Sequence, residues 1–292
     1  MATDLLPITM SATSTGAPIA ILTLDQPGRP VVVIDESLLK QLDATLDTLP
    51  AGLAGFVLAS AAPRAFVAGA DLKAIMAMDD KELHAYLEFG ARVFQRIADL
   101  PCPSVAAIHS VALGGGLELA MHCDGLVAVI DPDAKPFIIG LPEAGLKICP
   151  GWGGTNLLPA RIDPKTAIVA TANGIPFKST IAKELGLFDA TCKKPDDLIE
   201  TAIGWIEQQP IDSRTGNPSK CIQTIHTDEA EDALKDASDE LADALHVRSV
   251  LDAVRTGIDN GWQAALQCER NHLVQLRHTE PAQQAITAFF NK

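Results

Sequence analysis

Two glutamates, each close to a glycine-rich turn, are the side chains of this sequence best suited to acid–base chemistry. Glu118 follows Gly114–Gly116, and Glu143 follows Gly140 by three residues. Glycine has no Cβ, so the backbone at such a turn can bend sharply and leave its N–H groups open to a substrate. Residues 117–123 have the pattern of the first turns of a helix, and a helix N-terminus offers unpaired N–H donors and a positive dipole end. A carboxylate beside those donors predicts acid–base work on an activated carbonyl compound.

A second turn of small residues, Ala68–Ala70, lies between a predicted strand and a helix-like stretch. A ligand can lie against this backbone, with the N–H of Ala70 free to donate. Considered alone, either turn is equally well explained by tight packing of a strand against a helix. Two such turns can aim two N–H groups at one point, and each donor of an oxyanion hole typically contributes about 10²–10³-fold in rate. Their joint occurrence therefore favours an oxyanion hole.

The apolar neighbours of both glutamates indicate that their carboxylates are buried. Glu118 lies within the apolar run Leu117–Met121, and Glu143 lies between two further apolar segments. A first-turn glutamate can also serve only the helix dipole, an effect under roughly 1 kcal/mol. A buried carboxylate is costly unless it is paired or functional. We interpret the two glutamates, as a pair flanked by glycine turns, as catalytic.

Short apolar runs alternate with helical spacings over the first two thirds of the chain, which predicts an α/β fold. The predicted elements are strands at Ile19–Leu24, Val31–Ile34, Gly55–Ala59, Val105–Ile108 and Gly125–Ile130, with helices at 38–49 and Asp80–Ala98. After Trp205 a polar linker at 212–219 leads into an almost wholly helical region. We therefore divide the chain into a core of residues 1–210 and a helical region of residues 211–292.

The composition argues against several classes of partner. A formal charge of -14 and a pI near 4.8 oppose binding to nucleic acid or to anionic membranes. Eight acidic residues and one lysine lie between Asp228 and Asp243, which is typical of a solvated helical face, with a docking surface as the alternative. Six cysteines without a C-x-x-C motif predict reduced thiols. With no 18-residue apolar run and no targeting pattern at the N-terminus, we expect a soluble cytoplasmic protein.

The sequence predicts neither a metal site nor a nucleotide fold. His109, His122 and Cys123 are not spaced as metal ligands and are expected to pack in the core. No phosphate-binding loop and no complete G-x-G-x-x-G motif occurs. Arg64 and Lys73 are either solvated loop charges or the local positive field that a phosphorylated ligand needs in so acidic a protein.

Three motifs make the chain resemble the crotonase (enoyl-CoA hydratase/isomerase) superfamily. They are Ala-Gly-Ala-Asp-Leu-Lys at 68–73, the triple-glycine segment with Glu118 at 112–124, and the segment from Leu-Pro-Glu to Pro-Gly-Trp-Gly-Gly-Thr at 141–155. The resemblance implies a spiral of β-β-α units, followed by a helical C-terminal region that helps to form trimers or hexamers. In its third motif, with Trp152, and in its overall sequence pattern the chain most resembles the hydratase part of multifunctional fatty-acid oxidation proteins.

The resemblance also implies the roles of the site residues. The thioester oxygen of an acyl-CoA accepts hydrogen bonds from the N–H groups of Ala70 and Gly115. The residues expected to bind substrate are Ala68, Ala70, Asp71, Leu72, Lys73 and Gly115. In hydratases of this family, glutamates matching Glu118 and Glu143 hold a water molecule between them. The first helps to activate it for attack at Cβ, and the second delivers a proton to Cα. No metal and no cofactor is implied, since the CoA thioester is the substrate.

Because both glutamates are present, the resemblance favours an enoyl-CoA hydratase of fatty-acid β-oxidation. The alternatives are a Δ3-Δ2 enoyl-CoA isomerase that uses Glu143 alone, a non-catalytic scaffold or RNA-binding member of the fold, and a subunit that docks on a partner dehydrogenase through residues 228–243. The chain departs from the family at Val32, where an asparagine is usual, and at Asn156-Leu157, where Gln-Arg is common. These departures concern acyl specificity and assembly rather than the carboxylate chemistry.

Overall fold

The structure, a computed structural model, describes residues 4–210 and 216–291, and its strands form two sheets. In chain order the strands are β1 (Ile8–Ala12), β2 (Pro18–Leu24), β3 (Gly55–Ser60), β4 (Ala65–Val67), β5 (Ser104–Ile108), β6 (Val111–Leu113), β7 (Gly125–Val129), β8 (Ile138–Gly140), β9 (Phe177–Lys178) and β10 (Ala190–Cys192). The first sheet has the order β1-β2-β3-β5-β7-β10, and the second has the order β4-β6-β8-β9. The predicted strands that correspond to β2, β3, β5 and β7 are confirmed to within one residue at each end.

Strands that alternate between the two sheets generate a spiral of β-β-α units. β3, β5 and β7 are parallel neighbours in the first sheet, and β4, β6 and β8 are parallel neighbours in the second. Each strand of the first set is followed in the chain by one of the second set and then by helix. Parallel neighbours need such crossover connections, because a tight turn cannot join them. The α/β spiral implied by the resemblance is confirmed.

Twelve α-helices occur in the described residues. They are α1 (Glu36–Leu46), α2 (Leu72–Ala77), α3 (Asp80–Ala98), α4 (Gly115–Met121), α5 (Gly154–Leu157), α6 (Pro164–Asn173), α7 (Ser179–Glu184), α8 (Leu198–Ile206), α9 (Thr227–Glu240), α10 (Leu245–Asn260), α11 (Trp262–Leu276) and α12 (Glu280–Phe290). Short 3₁₀ helices lie at Glu143–Leu146, Leu158–Ala160, Pro195–Asp197 and Ile222–Thr224. α3 has the predicted bounds, because Asp79 and Glu82 form a reciprocal capping box at its start.

Residues 31–34 do not form the strand that their apolar character predicted. Ile34 makes an isolated bridge to Ala70, and the main chain of Val32 accepts a hydrogen bond from the N–H of Ala68. The segment therefore pairs with a loop rather than with a strand. Gly69, in that loop, has a φ of 118°, which bends the backbone out of the extended form that a longer ladder requires. The apolar character of Val32 and Ile34 reflects their burial in the core and not membership of a strand.

The helical C-terminal region packs into the same core as the first 210 residues. Trp262, Leu266 and Leu273 of α11 belong to one buried cluster with Phe94 of α3 and Trp152. The predicted boundary lies beside residues 211–215, which are outside the described residues, as is the first half of the predicted linker at 212–219. The division into 1–210 and 211–292 matches the change to an all-helical chain and stays a prediction as a division into domains.

The acidic stretch forms most of α9, whose charged side chains face solvent. All eight acidic residues between Asp228 and Asp243 are exposed, while Ala230, Leu234 and Ala237 are buried against the protein. The stretch thus forms an exposed helical face, which both the solvated face and the docking surface require. Among the helices of residues 4–210 and 216–291, none combines the length and the hydropathy that a membrane span requires.

Candidate active site

Glu118 lies in the first turn of α4, a helix whose residues are all buried, and is itself 1% exposed. Its Oε1 accepts hydrogen bonds from the main-chain N–H groups of Trp152 and Gly154, each at 2.8 Å. Both bonds end on Oε1, and Oε2 takes part in neither. The carboxylate is thereby tied to the turn that precedes α5.

The glycine run before α4 is required by close contacts as well as by the turn. Gly114 has a φ of 53°, and a Cβ at this position would lie 2.4 Å from Oε1 of Glu143. A Cβ at Gly115 would lie 2.5 Å from the ring of Trp152. These contacts let Glu143 and the indole ring approach the main chain at the start of α4 more closely than any other residue type would permit.

Glu143 opens the 3₁₀ helix that follows β8 and Pro142. Its Oε2 is buried and has no hydrogen-bond partner among the residues that the structure describes. Glu118 and Glu143 both line one cavity, so the turn at Gly114 brings two carboxylates from different β-β-α units to the same place.

The two carboxylates differ in the donors that they receive. Burial raises the pKa of Glu118 well above its ordinary value, and the charges of Glu269 and Glu143 add to the rise. Burial likewise raises the pKa of Glu143 to about 8; the main-chain N–H of Glu143 itself opposes this rise, and the charge of Glu269 adds to it. The two N–H bonds to Glu118 oppose the rise, because they stabilise the ionised form. Glu143 therefore holds a proton near neutral pH, and Glu118 is the carboxyl that receives two N–H donors from the turn.

The main-chain N–H groups of Ala70 and Gly115 belong to residues that border the same cavity. The bridge between Ile34 and Ala70 uses the carbonyl of Gly69 and the N–H of Asp71, and Gly115 is the first residue of α4. In the part of the chain that the structure describes, neither N–H donates to a main-chain carbonyl outside the regular elements. Both donors are thus available to a ligand in the cavity.

The cavity has a volume of about 390 Å³ and a largely apolar lining. Of the residues predicted from the sequence, it is lined by Ala68, Ala70, Leu72, Gly115, Glu118 and Glu143. Asp71 and Lys73 do not line it. The Asp71 carboxylate caps α2 by accepting a hydrogen bond from the N–H of Ala74 at 3.1 Å. Lys73 is exposed, with its ammonium group 5.6 Å from the ring centroid of Phe290, next to Phe289, which does line the cavity.

A third carboxylate, Glu269 of α11, is bound to the same turn as Glu118 and was not predicted from the sequence. It is 0% exposed. Its Oε2 accepts from the N–H of Gly153 at 2.5 Å, and its Oε1 accepts from the N–H and the hydroxyl of Thr155 at 2.9 and 2.5 Å. The available signal was its spacing from the apolar residues Ala265 and Leu273, which places Glu269 on the inward face of α11.

One group of three potential metal ligands occurs in the described residues: Asp252, Cys268 and His272, with one ligand atom from each within 4.8 Å of the others. Nε2 of His272 and Oδ2 of Asp252 are already hydrogen-bonded at 2.7 Å, and none of the three residues lines the cavity. His122 lies in the core with its ring against those of Phe94 and Trp262, which confirms its predicted packing role.

The fold is similar to that of solved structures. An enoyl-CoA hydratase from Bacillus anthracis is similar with a TM-score of 0.62 and 25% identity, over 99% of this chain and 96% of that chain. An enoyl-CoA hydratase from Bacillus halodurans has a TM-score of 0.67 at 18% identity, over 96% of this chain and 99% of that chain. The fold is therefore that of the crotonase superfamily.

The sequence comparisons define the family. The profile described as enoyl-CoA hydratase/isomerase matches residues 14–215. The fatty acid oxidation complex subunit alpha of Vibrio cholerae is 30% identical over 285 residues, which cover 93% of this chain and 39% of that protein. The chain belongs to the enoyl-CoA hydratase/isomerase family, and it spans about two fifths of the length of the curated relatives that it matches.

Proposed function

We propose that the protein is an enoyl-CoA hydratase of fatty-acid β-oxidation, which adds water reversibly and in syn geometry to trans-2-enoyl-CoA to give 3-hydroxyacyl-CoA, without a metal or a further cofactor. The observation that supports this most directly is that one cavity is lined by Glu118, which is buried, by Glu143, whose Oε2 is buried, and by Ala70 and Gly115. Membership of the family supports an acyl-CoA thioester as the substrate.

In the proposed mechanism, the thioester oxygen accepts hydrogen bonds from Ala70 and Gly115, which polarise the conjugated double bond. Glu118 takes a proton from water as the water oxygen bonds to Cβ. The π electrons then move toward the thioester oxygen, where the two N–H groups stabilise the enolate. Glu143 transfers its proton to Cα, and the enolate collapses to the product. Glu118 is then neutral and Glu143 ionised, and proton exchange with solvent restores the starting state.

The protonation states suit these roles. A pKa of about 8 keeps Glu143 protonated near neutral pH, as an acid in this direction must be. Two N–H bonds support the charge on Glu118, as a base requires. The apolar lining around them, including Trp152, Leu273 and Phe289, strengthens both effects because charges interact more strongly where water is excluded.

The test is hydration of crotonyl-CoA, followed by the loss of absorbance of the conjugated thioester. Glu118→Gln and Glu143→Gln should each lower kcat by at least about a hundredfold, the magnitude of general acid–base catalysis. Glu229→Gln, on the exposed face of α9, is the matched control and should keep the wild-type rate. Wild-type rates in both site variants would refute the assignment. A panel of enoyl-CoA esters from four to sixteen carbons would define the acyl chain length.

A Δ3-Δ2 enoyl-CoA isomerase is the second candidate, and one observation favours it. Oε1 of Glu118 is already occupied by two N–H donors, whereas Oε2 of Glu143 has no partner in the described chain and could move a proton by itself. With a 3-enoyl-CoA substrate, an isomerase would lose activity in Glu143→Gln and barely change in Glu118→Gln. Loss of hydration in both variants would exclude this alternative.

A homotrimer or hexamer in the cytoplasm is part of the same proposal, by analogy with the family. Light scattering on the purified protein would measure its mass. A partner enzyme of β-oxidation, docked through the exposed acidic face of α9, would be detected by copurification.

A further inference from the structure

The turn Trp152–Thr155 donates its four consecutive N–H groups alternately to two buried carboxylates. The N–H groups of Trp152 and Gly154 bind Glu118, and those of Gly153 and Thr155 bind Glu269. One turn is thus hydrogen-bonded to two carboxylates, one from α4 and the other from α11. A shift of the turn toward either side would break bonds to both.

α11 also fixes the turn by packing. Gly153 has a φ of 98°, and a Cβ there would lie 2.2 Å from the ring of Trp262, the first residue of α11. The turn therefore has no room to move toward the helix. Glu269 itself does not line the cavity, so it does not touch a ligand bound there.

The donors around Glu269 favour its ionised form. Both of its oxygens accept hydrogen bonds from main-chain N–H groups, which cannot accept a proton in return, and the Thr155 hydroxyl also donates. A proton on either oxygen would break at least one of these bonds. Burial raises the pKa of Glu269, and the three donors oppose that rise.

We propose that Glu269 is a positioning residue for the hydration reaction: it holds the Trp152–Thr155 turn in the shape that orients Glu118, and it places a buried negative charge behind that turn. This inference rests on the proposed function. The titratable groups that interact with Glu269 are Glu118, Glu143, Cys149, Cys268 and Arg270. From α10, Asp252 faces Cys268 and His272 on the outer side of α11 instead.

Three substitutions separate orientation from charge. Glu269→Gln removes the charge, and its amide group meets an N–H donor, so kcat should fall by about tenfold to a hundredfold with little change in KM. In the pH profile of kcat, activity on the basic limb is lost as Glu143 loses its proton. In Glu269→Gln this limb should move to lower pH, because a negative neighbour that raises the pKa of Glu143 has been removed. Glu269→Asp keeps the charge and should lower kcat without moving the limb. Thr155→Val, which removes one hydroxyl donor, should also leave the limb in place.

The second readout does not need turnover. The infrared carbonyl band of protonated Glu143, assigned by its absence in Glu143→Gln, should titrate at a lower pH in Glu269→Gln than in the wild type. If the wild type hydrates no enoyl-CoA but this midpoint still moves, the proposed function fails while the electrostatic role of Glu269 stands. An unmoved midpoint overturns the inference. If Glu269→Gln does not fold, the orienting role is tested with Glu269→Asp alone. A wild-type kcat per folded enzyme in Glu269→Asp would overturn that role.

Discussion

Replacing Glu143 with glutamine should stabilise the protein increasingly as the pH rises, although it removes the proposed acid. The pKa of Glu143 is about 8 in the folded chain, against an ordinary value of 4.5. A carboxylic acid with a raised folded pKa favours folding fully below the unfolded pKa, and this contribution is lost as the pH rises through the folded value. Between pH 5 and pH 8 the unfolded chain releases the proton while the folded chain keeps it. The contribution of Glu143 to the free energy of unfolding therefore falls by about 3 kcal/mol between these two pH values.

The assay is urea unfolding of the wild type and of Glu143→Gln at several pH values from 5 to 8. Glutamine is neutral throughout, so the difference between the two free energies of unfolding reports the ionisation of Glu143, together with the effect of its charge on Glu118. That difference should change by about 3 kcal/mol in favour of the variant over this range. Hydrogen bonds gained or lost by the amide add a constant and leave the slope unaffected. A flat difference would show that Glu143 is ionised in the folded protein, and would refute both its burial as a neutral acid and its role as proton donor.

Two further predictions concern the groups that support the carboxylates. Gly114→Ala should lower kcat by about tenfold or more, because a Cβ 2.4 Å from Oε1 of Glu143 displaces that carboxylate. Gly16→Ala is the control: Gly16 also has a positive φ, but a Cβ there would have no atom within 4 Å. This control should lower the free energy of unfolding by about 1 kcal/mol and keep full activity. Arg161→Met should lower the free energy of unfolding by about 2–4 kcal/mol in urea titrations, because the buried guanidinium donates to the carbonyls of Met121 and Cys123 after α4; kcat per folded enzyme should be unchanged.

The longer elements could be predicted from sequence because their causes are local. β5 and β7 are buried runs of apolar residues, and α3 begins at a capping box that the sequence contains. β4, β6 and β8 have only three residues each, too few for an alternation of apolar and polar residues to be recognised in the sequence. They exist because they pair with one another in the second sheet. Residues 31–34 show the converse error, since they are apolar and buried without a partner strand.

The candidate site was predictable to the extent that its residues lie in local motifs. Glu118 and Glu143 could be identified because each follows a glycine turn within a few residues. Glu269 could not be identified in the same way, because its partners are the main-chain N–H groups of Gly153 and Thr155, which carry no signature of their own in the sequence. Its contact depends on how α11 docks on the core, a long-range feature that a single sequence does not encode visibly.

The distribution of N–H donors, rather than the carboxylates themselves, assigns the roles at this site. Negative charge near this site raises the pKa of its neighbours: Glu269 and Glu143 raise that of Glu118, and Glu269 raises that of Glu143. Glu118 and Glu269 receive the four N–H groups of one turn, while Oε2 of Glu143 receives no donor from the described chain. With a pKa of about 8, Glu143 holds a proton near neutral pH, which suits the acid of the proposed reaction. The turn supplies its N–H donors to Glu118 and Glu269, whereas the position of Glu143 depends on the fold around Gly114, where no Cβ separates its carboxylate from the main chain.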